Sequence, residues 1–440
     1  MRLRNLSVLA TAALLVASAC NSSGATPAPA TTGPGASTVA SAPASAPAGN
    51  VAVKIGIELP LTGGEAPNGQ PTANGVALAI SKLTVPGFTI TIEQKDDALN
   101  GHHDPPTGAA NVTALANDPA VLFVVGPYNS NVAQAEIPVS NAAGLMQCSP
   151  ANTNPGLTKT WGGVDPKTLR PTHPDQIAYV RVATTDDLQG AGGADIAYNV
   201  AHAKNAYVVD DTETYGKGLA DVFATDFAKL GGTVLKRDGI PTSTTDFTSY
   251  ITALKGLTGL DYVYYGGVTT SGIGVFRSQM AAQSMASIPF GVGDGAVDGS
   301  AATASSFLNL AGADGDANTY GTVAATHDIP NPAQFTTDYK AMFNTEPGSY
   351  SAAGYGCTQV FLQALQAVGP ADGSDLVKLR ADIRAYVADS SHSYDTALGT
   401  FSFDAAGDTS QHIISYYGFD AGTKDWKFLQ QRDFTANPMQ

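Results

Sequence analysis

The sequence predicts an α/β protein built as two tandem units, each with a parallel sheet wrapped by helices. Three observations point there. Short apolar runs alternate with helix-length segments along most of the chain. Some of the runs, such as VLFVVG (121–126), are apolar throughout, as expected of strands covered on both faces. The chain has 440 residues, 43% of them hydrophobic, which exceeds one ordinary domain and suffices for two sizeable cores.

The first unit opens with VAVKIGIEL (51–59), a partly alternating strand. The turn PLTGGEAPNGQP follows, then a small-residue helix near 72–83. FTITIEQKDD (88–97) is a second strand, and 106–118 is a helix stopped by Pro119. After VLFVVG comes the helix NVAQAEIPVSNAAG with a glycine end, then the strand LMQCSP. The second unit begins past residue 184. It reads as helix 187–202, strand 205–211, helix 216–232 and strand TVLKRDGIP. Thr244 or Thr245 is the expected cap of the next helix, with Phe247, Ile251 and Leu254 in phase. LDYVYYGG (260–267), GIGVFRSQMAAQSM, IPFGVGDG (288–295) and GTVAAT (321–326) continue the alternation. Two helices, PAQFTTDYKAMF and YSAAGYGCTQVFLQALQAVG, lead to closing strands FSFD (401–404) and QHIISYYGFD (411–420). Short crossovers impose right-handed βαβ units.

The N-terminus reads as a signal for export. Arg2 and Arg4 precede the apolar stretch 6–17, which is too short to span a bilayer. Ala17, Ser18 and Ala19 then lead directly to Cys20, in the pattern of a bacterial lipoprotein box, although Ala17 departs from its usual leucine. The resemblance implies cleavage before Cys20 and a lipid on its sulfur. Residues 21–50 contain 27 Ala, Ser, Pro, Thr or Gly and no charge, the composition of a flexible tether. No other stretch is apolar enough to cross a membrane. Cys148 and Cys357 stand in apolar sequence, where either a disulfide or two small buried thiols fit. Net charge is −15 with 23 Lys plus Arg and no basic stripe, which argues against a nucleic-acid partner.

Several segments in order resemble the periplasmic branched-chain amino-acid-binding proteins, the Leu/Ile/Val-type group. They are IGIELPLTGGEAPNGQ with NGVALAI, AANVTALANDPAVLFVVGPYNSNVAQAEIPVSNAAGLMQCSPANTNPGLT, DDTETYGKGLADVF, TDFTSYITALKGLTGLDYVYYGG, FGVGDG and GTFSFDAAGD. Together they cover most of 51–420. The resemblance implies the type I periplasmic-binding-protein fold, two doubly wound parallel-sheet lobes joined by a three-strand hinge. Crossings near 183–185, 325–327 and 399–401 would divide the chain into lobe 1 (51–183 plus 327–400) and lobe 2 (184–326 plus 401–440). It implies an extracytoplasmic solute-binding protein of an ABC importer. Its partners would be a small-molecule amino-acid ligand, the permease subunits, and the membrane through the anchor at Cys20, on the outer face of the cell membrane or in the periplasm.

Site residues follow position by position. Ser130 begins a helix after a strand end, where free N–H groups and a hydroxyl favour a carboxylate, the preferred reading, although it can serve as a plain helix cap as well. Ala151 and Thr153 match the family loop that meets the amino acid, and the same residues also suit an ordinary turn. Tyr215 matches a tyrosine offered by the second lobe. Asp294, among glycines at a strand end, matches the acid that pairs with the ligand's ammonium. Asn68 and Val268 stand where leucine-binding members carry aromatic residues. The side-chain pocket is therefore altered, and polar amino acids join the branched-chain ones as expected ligands. A same-fold sensor, or a binder of an amide, urea-like or aromatic acid, is the alternative. No cofactor is expected. His102, His103 and Asp104 are read as solvated rather than metal-binding. The glycines at 216 and 218 lack phosphate-loop spacing, and neither G-x-S-x-G nor HExxH occurs. An enzyme is accordingly not expected.

Overall fold

A computed structural model describes residues 50–373 and 375–435. The export signal, Cys20 and residues 21–49 of the expected tether lie outside the described residues. Among the described residues, no helix is long and apolar enough to cross a membrane.

The strands are β1 (Val51–Leu59), β2 (Phe88–Asp96), β3 (Ala98–Leu99), β4 (His102–His103), β5 (Val121–Val125), β6 (Met146–Ser149), β7 (Tyr179–Arg181), β8 (Asn205–Asp210), β9 (Thr233–Gly239), β10 (Tyr262–Gly266), β11 (Phe290–Val292), β12 (Thr319–Val323), β13 (Ser393–Thr396), β14 (Gly399–Ser402), β15 (Ile413–Asp420) and β16 (Asp425–Asp433). The helices are α1 (Ala66–Lys82), α2 (Pro105–Asn117), α3 (Ser130–Ala143), α4 (Asp186–Asp195), α5 (Thr214–Lys229), α6 (Thr248–Lys255), α7 (Ile273–Met280), α8 (Phe307–Asp316), α9 (Pro332–Phe343), α10 (Ser351–Asp372) and α11 (Leu376–Ala388).

Five strands form an all-parallel sheet in the order β2-β1-β5-β6-β7. A second sheet runs β9-β8-β10-β11-β12 in parallel and adds β15 and β16 antiparallel at one edge. In both, the order reverses beside the first strand, between β1 and β5 and between β8 and β10. Such reversals leave a crevice at the carboxyl ends of the strands. The central strands explain the covered sheets: every residue of VLFVV and of YVYYG is buried. Cys148 in β6 and Cys357 in α10 are joined by a disulfide, which decides the question that the sequence left open.

Three passages of chain connect the sheets and bond to one another. The Thr184 amide donates to the Ala324 carbonyl (3.0 Å), and its hydroxyl donates to the Ile413 carbonyl (2.9 Å). The Ser415 hydroxyl donates to the Ala325 carbonyl (2.7 Å). The third passage therefore lies near 411–415, beyond the expected 399–401. The reason is local. β14 pairs only with β13, and Asp408 bridges Arg181 at the edge of the first sheet, backbone to backbone and by an ion pair of 2.7 Å.

Other departures have equally local causes. The first helix starts at Ala66, not near 72, because proline fits a first helical turn; Pro71 lies inside it. The helix expected to cap at Thr244 or Thr245 starts at Thr248, whose amide donates to Asp246 (2.9 Å). The elements β7, α8, α11, β13 and β16 were not expected. β16, DWKFLQQRD, is an edge strand exposed along much of its length, which hides its period in the sequence.

Candidate functional site

The carboxyl ends of both sheets converge on one cavity. From the first sheet come Tyr128, Asn129, Ser130 and Asn131 after β5, and Ala151 and Thr153 after β6. From the second come Asp211, Glu213 and Tyr215 after β8, Val268 after β10, and Asp294 and Gly295 after β11. His103 completes the wall. Six residues singled out from the sequence, Ser130, Ala151, Thr153, Tyr215, Val268 and Asp294, thus share one cavity. Asn68 does not. It sits in the first turn of α1 and lines a separate groove with Pro71, Val297 and Trp426. The early start of that helix draws it away.

Ser130 is the first residue of α3, where the leading amides have no partner within the helix. Its hydroxyl accepts from the Asn154 amide (3.4 Å). Gly126 supports this corner: its φ is +141°, and a Cβ there would lie 2.0 Å from the Glu58 carbonyl oxygen. Ala151 and Thr153 follow β6 in a loop held from below. Asn152 donates to the Tyr128 carbonyl (2.6 Å) and Arg181 to the Asn154 carbonyl (2.7 Å).

Asp294 opens a short 3-10 turn after β11 and is buried. Two tyrosine hydroxyls donate to its carboxylate, Tyr215 at 2.5 Å to Oδ1 and Tyr350 to Oδ2. Burial raises its pKa above the ordinary value, and the two hydroxyls oppose that rise. Tyr215 also accepts from the Gly295 amide (3.2 Å). Gly293 makes room for this ring, since a Cβ there would lie 2.3 Å from the Tyr215 hydroxyl. Asp186, at the start of α4, donates its amide to the Thr153 carbonyl (2.8 Å). Neither oxygen of its buried carboxylate has a hydrogen-bond partner among the described residues. Burial, and then the negative charge of Asp294, push its pKa well above the ordinary value.

Around the cavity, carboxylates outnumber cations. No lysine or arginine lines it. His103 is the one lining side chain that can be cationic, and both its ring nitrogens are engaged: Nδ1 lies 2.5 Å from Glu65 and Nε2 lies 2.9 Å from Glu213. This corrects the expectation of two solvated histidines. His102 is exposed, but the His103 side chain is only 5% exposed, because β4 pairs with β3 and turns it inward. Among the described residues there is no group of three or more His, Cys, Asp or Glu that could hold a metal.

Sequence reasoning missed Glu65, His103, Asp186, Glu213 and Tyr350. The three acids of DDTETYG, within five residues before Tyr215, were a usable signal for Glu213. Tyr350 had none, since it reaches Asp294 from a helix start 56 residues away.

The periplasmic binding protein family matches residues 52–419. The chain is 28% identical over 390 residues to Leu/Ile/Val-binding protein homolog 1 of Brucella melitensis, covering 86% of this chain and 94% of the relative. Its structure resembles a leucine binding protein from Thermotoga maritima, with a TM-score of 0.71, 24% identity, and coverage of 87% and 99%. It also resembles an ABC transporter solute binding protein from R. palustris in complex with benzoate, with a TM-score of 0.68, 20% identity, and coverage of 86% and 96%. Two doubly wound sheets facing one crevice, within a match that spans nearly all the described residues, lead to one conclusion. The chain belongs to the periplasmic binding protein family, whose members are exported solute-binding proteins rather than enzymes.

Proposed function

We propose that the protein captures a small amino acid between two lobes, one built on each sheet, and delivers it to the permease of an ABC importer. The observation that carries this reading is the set of charges around the cavity. Buried Asp294 stands on one side, neutral donors of Ser130 and Thr153 on the other, and no lysine or arginine between them. A zwitterion suits that set. Its carboxylate meets the helix start at Ser130 and the loop at Ala151 and Thr153, where hydroxyls and amides donate. Its ammonium meets Asp294, with the acid Asp186 behind. Tyr215 covers it, and Val268 shapes the side-chain end. An aromatic acid, as held by the R. palustris neighbour, brings a carboxylate but no cation, and the buried acids then lack a partner. For that reason an amino acid is preferred over the aromatic-acid reading.

The lobes are taken as 51–183 plus 327–410 and 184–326 plus 411–435, the third boundary being moved to where the chain crosses. The export signal and a lipid on Cys20 anchor the protein outside the cell membrane, and 21–50 is its tether. Isothermal titration with the twenty amino acids, and with benzoate for comparison, tests the ligand class. Micromolar binding of at least one amino acid, with benzoate far weaker, is the expected result. Absence of binding for all twenty overturns the reading. Mass spectrometry of the mature N-terminus tests the anchor: a diacylglycerol on Cys20 is expected, and a free or differently cut N-terminus rejects it.

A further inference from the structure

The cavity mouth carries a charged cluster that the ligand contacts above do not use. His103 lies between two carboxylates that belong to different sheets. Glu65, just before α1, lies 2.5 Å from Nδ1, and Glu213, just before α5, lies 2.9 Å from Nε2. A carboxylate on each nitrogen favours the doubly protonated ring, which donates to both; the Asn131 amide also lies 3.0 Å from Nε2. The cluster is braced from each side. Asn129 donates to Glu65 (2.7 Å), and Asn131 donates to Glu213 (3.0 Å). Thr270, after β10, donates across to Glu65 (2.9 Å). Next to it, the Thr214 hydroxyl donates to Gln134 (2.9 Å) and Asn154 donates to the Thr214 carbonyl (2.7 Å). These last two bonds tie α3 and the loop after β6 to the leading end of α5.

We infer that His103 is a positioning residue that latches the cleft shut, holding Glu65 of its own side and Glu213 of the opposite side in one ion cluster. The inference rests on the reading that the two sheets form lobes that part to admit the ligand. When they part, His103 keeps Glu65, which shares its side, and loses Glu213. The contact to Glu213 is therefore present only in the closed form and biases the equilibrium toward it. Charged hydrogen bonds that are nearly removed from water are the strong ones, and this ring is almost fully buried. Thr270, which donates to Glu65, and Asn131, which donates to Glu213, add further bonds that only the closed form makes.

The test uses the full chain without added ligand, so it stands apart from the identity of the solute. Cys20→Ser removes the remaining thiol, and spin labels are placed at Thr113→Cys on α2 and Thr225→Cys on α5, both exposed. Double electron–electron resonance reads the distance across the cleft. The unaltered latch is expected to show mainly the short distance. His103→Gln and Glu213→Ala should each lower the ratio of short to long by about 10-fold, and the double variant no further than the stronger single one. Glu213→Ala changes a partly exposed residue and guards against misfolding in the His103 variant. Unchanged distances in either single variant overturn the inference. So does additive loss in the double variant, or a ligand-free protein that shows only the long distance. Failure of every amino acid to bind would reject the proposed ligand and leave this result standing.

Discussion

Replacing Asp294 by asparagine keeps the shape of the side chain and removes its charge. The carboxylate is buried and accepts from Tyr215 at 2.5 Å and from Tyr350. An ammonium about 4 Å away, at an effective dielectric near 20, interacts with it by about 4 kcal/mol. In the variant one tyrosine hydroxyl still donates, now to a neutral amide oxygen, while the other faces the NH2 and must turn to accept from it. Part of the Coulomb term is already offset by desolvation, so a loss of about 2–4 kcal/mol is expected, or about 30- to 1,000-fold in Kd. Titration calorimetry with the best-binding amino acid measures it, with thermal melting run alongside to confirm the fold. The same variant should bind benzoate no worse than the parent does, because an anion no longer faces a buried acid. If Asp294→Asn binds the amino acid within 3-fold of the parent, the ammonium does not sit there. The clamp proposed for the cavity is then wrong.

Gly293→Ala should abolish tight binding, because the added methyl falls 2.3 Å from the Tyr215 hydroxyl and 2.4 Å from Leu219; calorimetry showing parental affinity would contradict this placement of Tyr215. Reduction of the bond between Cys148 and Cys357, 209 residues apart, should lower stability by about 5 kcal/mol on the chain-entropy view, read as a lower melting temperature in reductant. Arg181→Met leaves the buried Asp408 with Lys159 as its remaining ion partner and should cost about 3–5 kcal/mol in urea unfolding. Stability should also fall in acid. The positive charge and hydrogen bonds of His103 outweigh burial and hold Glu65 at about 2, against an ordinary 4.5. The unfolded chain thus binds the proton first as pH falls, and this contribution is complete above about 4.5 and lost toward 2. It is worth at most about 3 kcal/mol. Melting curves of Glu65→Gln should show a shallower acid limb than the parent, and parallel limbs would refute the assignment.

Much of the architecture was written locally. VLFVV and YVYYG announce buried parallel strands, because a strand covered on both faces has no room for polar residues. Helix stops such as Gly144 are equally local, set by a left-handed cap that glycine adopts freely. Ser130 was picked out by its place just beyond a strand, where a doubly wound sheet leaves its crevice, whereas Thr153, Tyr215 and Asp294 were picked out by the family resemblance; the fold brings all four to one cavity. Tertiary packing decided the rest. Whether Cys148 meets Cys357 depends on α10 lying against β6, and 209 residues of sequence carry no trace of that. The same holds for Tyr350 on Asp294 and for the third crossing, fixed by Arg181 and Asp408. His103 shows the difference most clearly. Its neighbours in the chain suggest a solvated loop, whereas its charge is set by two glutamates 38 residues before it and 110 residues after it. A side chain's local period is fixed by its own segment, but its protonation and partners are fixed by whichever distant groups share its low-dielectric surroundings.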